Sequence, residues 1–145
     1  MILFGFQHCG KTYYGRRLAK ELKLPFLDTD HLISKKVGYS YRRLWKEGEE
    51  RFRLVEREVI AELPPNHVIA LGGGAILCEE NRKVLTHFPL LYLKLSREKL
   101  RARYADPKKF EALYEKRLPL YEAIGARCIE LDGKSDKEVL WEATH

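Results

Sequence analysis

The run Gly5-Phe6-Gln7-His8-Cys9-Gly10-Lys11-Thr12 constrains this chain more than any other stretch. It fits G-x-x-x-x-G-K-[ST], a loop that cradles phosphate where a strand hands over to a helix. Glycine makes up only about 7% of ordinary sequence, so four fixed positions agree by chance in about one chain in a hundred. The flanks supply the context that the motif needs. Met1-Ile2-Leu3-Phe4 is a short apolar run of buried-strand type, and Lys11 to Leu22 reads as a helix. Loop N–H groups and the positive end of that helix then face a bound phosphate. The chain is read as a nucleotide binder.

Strand-like runs alternate with helical ones through the remainder. Leu24 to Leu27 leads into Asp28-Thr29-Asp30, and Asp30-His31-Leu32-Ile33 opens a helix ending near Gly38. Ser40 caps a helix over Tyr41 to Lys46. Glu49 to Leu63 carries Phe52, Val55, Val59, Ile60 and Leu63 as an apolar stripe, which Pro64-Pro65-Asn66 terminates. Val68 to Leu71 is a strand running into Gly72-Gly73-Gly74, and Leu90 to Leu95 is another, with Ser96 capping the helix after it. Leu113 to Ala123 reads as helix, Cys128 to Leu131 as the last strand, and Ser135 opens a terminal helix. Strands separated by helices predict a parallel sheet covered on both faces. No repeat or linker divides residues 1–145, so one domain is expected.

Composition narrows the class of partner. The chain is 45% hydrophobic and 33% charged, as a water-soluble globular protein is, and no apolar run approaches a membrane span. The N-terminus lacks a signal peptide, and Cys9, Cys78 and Cys128 share no metal or redox spacing. A cytoplasmic protein with free thiols and no membrane partner is expected, acting as a monomer. The net charge of +6 permits nucleic-acid binding, but the basic residues are scattered among acids. Solvated helix faces and a site for anionic substrates account for the charge, and no nucleic-acid partner is predicted.

Four groups of residues carry chemistry. Lys11 can reach the β- and γ-phosphates, and Thr12 can coordinate Mg²⁺. His8 and Cys9 occupy variable loop positions; His8 is read as a backbone contributor and Cys9 as a small loop-lining residue, although a helix N-terminus can raise thiolate character. Asp28 and Asp30 follow the second strand and point toward the phosphates, one for Mg²⁺ or its waters and one as a base. The competing role for Asp30 is that of helix cap. Gly72-Gly73-Gly74 suits close approach of a ligand to the main chain. Arg53 and Arg117 offer the paired donors that a carboxylate accepts, and Glu56 shares a helix face with Arg53.

Together these pieces resemble shikimate kinase. The ordered set is the phosphate loop, Phe26-Leu27-Asp28-Thr29-Asp30, Gly48-Glu49-Glu50-Arg51-Phe52-Arg53-Leu54-Val55-Glu56, Leu71-Gly72-Gly73-Gly74-Ala75 and Lys116-Arg117-Leu118-Pro119-Leu120-Tyr121. The resemblance implies a three-layer α/β/α P-loop NTPase fold with a five-stranded parallel sheet. It implies transfer of the ATP γ-phosphoryl group to the 3-hydroxyl of shikimate, with Mg²⁺ as cofactor. By position, Lys11 and Asp30 are then catalytic, and Asp28 joins Thr12 at the metal through water. His8, Cys9, Gly10, Lys11, Thr12, Tyr13, Arg103 and Lys134 would surround ATP, Lys134 as part of the wall Asp132-Gly133-Lys134-Ser135. Asp30, Arg53, Gly72, Gly73, Gly74 and Arg117 would bind shikimate.

The departure lies at Tyr104-Ala105-Asp106-Pro107-Lys108-Lys109-Phe110, where the resemblance implies a longer lid that holds an arginine. This chain has a short loop, within a lid over about 104–112, and offers only Lys108 or Lys109. Three alternatives stay open: a gluconate kinase, a nucleoside monophosphate kinase, or a nucleotide-binding module without catalysis.

Overall fold

The computed structural model describes residues 1–145. Five strands form one parallel sheet in the order β2-β3-β1-β4-β5. They are β1 (Ile2–Phe4), β2 (Phe26–Asp28), β3 (Val68–Ala70), β4 (Leu90–Lys94) and β5 (Arg127–Glu130). The central strand β1 is apolar on both faces, as a strand sandwiched between helical layers must be. Ile2 and Leu3 register with Ile69 and Ala70 on one side, and Ile2 to Phe4 with Leu90 to Tyr92 on the other.

Eight helices connect and cover the strands: α1 (Lys11–Leu22), α2 (Thr29–Val37), α3 (Tyr41–Glu47), α4 (Glu49–Ala61), α5 (Glu79–Leu85), α6 (Arg97–Arg103), α7 (Pro107–Ala123) and α8 (Asp136–Thr144). Successive strand residues point to opposite faces, and β1 shows it. Leu3 lies under α1, where a Cβ on Gly15 would come within 3.2 Å of its side chain. Phe4 points the other way, stacking on Tyr92 and meeting Tyr121 of α7. The three layers expected from the resemblance are present. A smaller apolar cluster of Ile33, Leu44, Phe52, Val55 and Val59 binds α2, α3 and α4 together beside the sheet. No helix is long and apolar enough to cross a membrane.

The expected element order holds, with five adjustments. Strand ends shift by one or two residues, and α4 stops at Ala61. Helix α5, unforeseen from the sequence, follows a 3₁₀ turn at Ala75–Leu77. Asp28 is the cap of α2, its side chain accepting from the Asp30 N–H at 2.9 Å, so Asp30 is released from the capping role. The largest change is α7, which begins at Pro107, not Leu113. Asp106 caps it by accepting from Lys108 and Lys109 N–H groups, and proline at the first position has no N–H to leave unpaired. The short lid is thus mostly the first turns of a 17-residue helix, with only Tyr104 to Asp106 outside it.

Candidate active site

A cleft of about 870 Å³ opens at the C-terminal ends of β1, β2 and β3, where ligands bind in open parallel sheets. The loop after β1 forms its floor. Gly5 and Gly10 have φ of +152° and +112°, and a Cβ on Gly5 would lie 2.6 Å from the Leu93 carbonyl oxygen of β4. Both glycines of the motif are therefore required by the loop's own path. His8 also takes a positive φ, of 71°. Lys11 Nζ donates to the Gly5 and Phe6 carbonyls at 2.7 and 2.9 Å. Thr12 Oγ1 donates to Asp28 Oδ2 at 3.2 Å. Asp28 thereby caps α2 and holds Thr12 with its two oxygens.

His8 and Cys9 part ways. His8 lines the cleft, with partial desolvation, Lys11 and Arg103 pushing its pKa down, while its carbonyl accepts from Arg103 at 2.6 Å. Cys9 is only 2% exposed and packs beneath the loop. Burial raises its thiol pKa and outweighs Lys11 and the loop N–H groups, so the helix N-terminus produces no reactive thiolate.

The opposite side of the cleft, expected from the sequence to take the acceptor, is built around the triple glycine, and its geometry gives that motif a sharper meaning. None of the three glycines has a positive φ. Each instead makes room for a charged side chain. A Cβ on Gly72 would sit 2.8 Å from Asp30 Oδ1, one on Gly73 3.0 Å from Arg117 Nη1, and one on Gly74 2.8 Å from Arg53 Cζ. The Gly72 N–H donates to Thr29 Oγ1 at 2.8 Å, fixing the loop to α2. Arg53 Nη1 donates to Glu56 Oε1 at 2.8 Å, and the Glu56 side chain is 1% exposed. Burial raises the Glu56 carboxyl pKa, and Arg53 opposes the rise. Arg117 is buried in α7 with its Nε unpartnered.

Burial pushes the Asp30 carboxyl up from the ordinary 3.8 to about 6; Asp28 adds to the rise, while Lys11, Arg53 and Arg42 restrain it. A carboxyl of that kind is ionised near neutral pH yet basic enough to take a proton. Lys11, Arg53 and Arg117 face it across the cleft, so anions are drawn to both ends.

Most of the residues singled out in the sequence converge here: His8, Gly10, Lys11, Thr12, Tyr13, Asp28, Asp30, Arg53, the three glycines, Arg103 and Arg117 all line the cleft. Cys9 and Lys134 do not. Lys134 Nζ is engaged with Glu142 at 2.9 Å, on the terminal helix. Tyr13 lines the cleft while its hydroxyl donates to Asp136. Of the two lid lysines, Lys109 lines the cleft and Lys108 does not. Sequence reasoning passed over Arg42, Trp45 and Lys46 of α3, which also line the cleft, because on a short helix they read as ordinary surface residues. It also passed over Tyr121, whose hydroxyl lies against Gly73 and Gly5. Its place four residues beyond Arg117, on the same helical face, was the available signal.

Known proteins resemble this chain over almost its whole length. The family model for shikimate kinase matches residues 7–145. A shikimate kinase from Dictyoglomus turgidum is 36% identical over 156 aligned positions, covering 95% of this chain and 91% of that protein. One from Francisella tularensis subsp. novicida is 37% identical, covering 97% and 89%. Among solved structures, a shikimate kinase from Acinetobacter baumannii in complex with shikimate superposes with a TM-score of 0.82 at 32% identity, covering 99% of this chain and 89% of that one. A shikimate kinase from Aquifex aeolicus gives 0.86 at 27% identity, covering 99% and 92%. A gluconokinase from Sinorhizobium meliloti gives 0.59 at 16% identity and shares the fold alone.

Proposed function

The chain belongs to the shikimate kinase family, and on that premise we propose ATP-dependent phosphorylation of shikimate at its 3-hydroxyl as its function. The observation that carries this reading is the acceptor side: Arg53 and Arg117 converge with Asp30 on the triple glycine loop. Two guanidinium groups suit one carboxylate, and a basic carboxyl beside them suits a hydroxyl that must lose its proton.

The roles of individual residues follow from position. Arg53, held by Glu56, and Arg117 bind the acceptor carboxylate. Asp30 orients the acceptor hydroxyl and takes its proton as the oxygen attacks the γ-phosphorus. Lys11 exchanges its loop carbonyls for the β- and γ-phosphates, and the loop N–H groups hold the remaining oxygens. Arg103 lies over the loop at His8 and covers the nucleotide. Lys109, projecting from the first turns of α7, supplies the lid cation. The ammonium of Lys134 is committed to Glu142, which leaves the backbone around Gly133 as that segment's contribution to the adenine wall.

Mg²⁺ fits the residues present. Thr12 Oγ1 and the Asp28 carboxylate form an all-oxygen pair, and no cluster of three metal-ligating side chains exists. That suits an ion which keeps most of its water and takes its other oxygens from substrate phosphates. The chemistry such an ion would supply is positive charge to offset that of the nucleotide phosphates. Thr12 would ligate it directly and Asp28 through water.

A coupled assay following ADP release from ATP-Mg tests the reading, with shikimate, gluconate and nucleoside monophosphates as separate acceptors. Turnover with shikimate alone is expected. Turnover with gluconate or a nucleotide and none with shikimate sinks the substrate assignment.

A further inference from the structure

Tyr121 touches both halves of the cleft from beneath. Its hydroxyl lies 2.6 Å from the Gly73 carbonyl oxygen and 3.2 Å from that of Gly5. The side chain is 1% exposed, with its ring edge-on to Phe6 and tilted against Phe4 and Tyr92, so it has no freedom to swing away. A phenol carries a single proton. Two carbonyls, one from each half-site, thus face one donor. The nearer is that of Gly73, and Gly5 is meanwhile served by Lys11 Nζ at 2.7 Å.

Lys11 is the group that must leave its loop carbonyls when a nucleotide arrives. The Gly5 carbonyl then loses its donor in a buried place, and an unpaired buried acceptor is costly. The Tyr121 proton is the replacement within reach. Taking it releases the Gly73 carbonyl, on the loop against which Arg117 rests. The reverse sequence holds too: an acceptor hydroxyl that donates to the Gly73 carbonyl sends the Tyr121 proton to Gly5 and frees Lys11 for phosphate.

The geometry points to Tyr121 as a positioning residue that couples nucleotide and acceptor binding, by sharing one proton between the Gly5 and Gly73 carbonyls. The inference rests on the phosphotransfer reading above. Because coupling is reciprocal, each substrate raises the affinity for the other by the same factor. Tyr121 also sits one turn beyond Arg117 on α7, so the carboxylate arginine shares its anchor.

Calorimetric titration of a non-hydrolysable ATP analogue, with and without saturating shikimate, measures that factor. In the wild type it is expected to be about fivefold or more. In Tyr121→Phe it falls below about twofold, while the affinity for each ligand alone changes less than the factor does. A factor of one in a wild type that binds both ligands overturns the coupling and leaves the substrate assignment standing. So does an unchanged factor in Tyr121→Phe. Absence of shikimate binding in the wild type overturns the assignment and the coupling with it. A second measurement needs no variant: the ¹³C carbonyl resonance of Gly73 moves when the ATP analogue alone is added. A resonance that stays in place sinks the inference, whatever the variant does.

Discussion

The two halves of the cleft are built differently. On the acceptor side, charged groups are locked before any ligand arrives. Glu56 is buried and paired with Arg53, Arg117 is buried in α7, and three glycines leave the space that Asp30, Arg117 and Arg53 fill. On the nucleotide side, polar and charged groups occupy provisional partners. Lys11 rests on its own loop, Arg103 on the His8 carbonyl, and Tyr13 on Asp136 in half-exposed surroundings. Preorganisation reduces what binding must spend on ordering, and it selects shape. Provisional contacts exchange with a ligand at little cost, which suits a nucleotide that must enter as ATP and leave as ADP. On the proposed function, discrimination belongs to the acceptor side and turnover to the nucleotide side.

Asp30 stands where the halves meet, and its removal gives the largest effect. Asp30→Asn should lower kcat by about 10²–10⁴ while both substrates still bind, the usual scale for a lost proton acceptor. Steady-state kinetics with separate binding titrations check this; equal turnover in wild type and variant removes Asp30 from the chemistry. The pH profile sharpens the same point. Activity should climb as pH rises through about 6, as the Asp30 carboxyl ionises. Stability moves the other way. Because the folded-state pKa is raised above the ordinary 3.8, the contribution of Asp30 to stability is full below that pH and is lost as pH rises through about 6. The difference in thermal stability between wild type and Asp30→Asn, measured from pH 3.5 to 7.5, should show that slope.

Two substitutions probe the locked side alone. Glu56→Ala leaves Arg53 without its buried partner and should cost about 3–5 kcal/mol in chemical denaturation, with acceptor KM raised in whatever protein folds. Gly74→Ala is milder. Its Cβ would meet Arg53 Cζ at 2.8 Å, so the guanidinium has to move. Losing one good charge-assisted contact is worth about tenfold in acceptor KM or more, with nucleotide KM unchanged. Equal losses for both substrates would dissolve the distinction between the halves.

The sequence made the nucleotide side legible because its signals are local. Four loop positions name a phosphate site, and Asp28-Thr29-Asp30 follows a strand by a single step. The acceptor side was legible only in outline. The triple glycine pointed to close approach, but what approaches is a set of side chains from α2, α4 and α7, brought together by tertiary packing alone. Asp28 rather than Asp30 as the cap of α2 follows from where β2 ends, a boundary that apolar patterning locates only to within a residue or two. Helix α5 was missed because Glu79-Glu80-Asn81-Arg82-Lys83 has no apolar stripe and Cys78 gives no side-chain cap. The start of α7 was missed because Asp106-Pro107 resembles a turn as much as a capped helix, and only the Asp106 bonds to Lys108 and Lys109 distinguish them.

That early start of α7 leads to the smallest effect and the most specific contrast. In a loop, Lys108 and Lys109 would be interchangeable. On a helix, neighbouring residues point about 100° apart, and only Lys109 lines the cleft. Lys109, Leu113 and Arg117, at four-residue spacing, all line the cleft, so the proposed lid cation and the proposed carboxylate arginine ride on one helix. Neither lysine makes an ion pair within the chain. Lys109→Met should therefore lower kcat by about two- to fivefold, the scale of one solvent-screened charge contact, and Lys108→Met should leave it unchanged. Acceptor KM should stay constant in both, because Arg117 lies two turns away. Equal effects from the two substitutions would mean that this segment works as a loop, and the provisional side of the cleft would then extend into α7 itself.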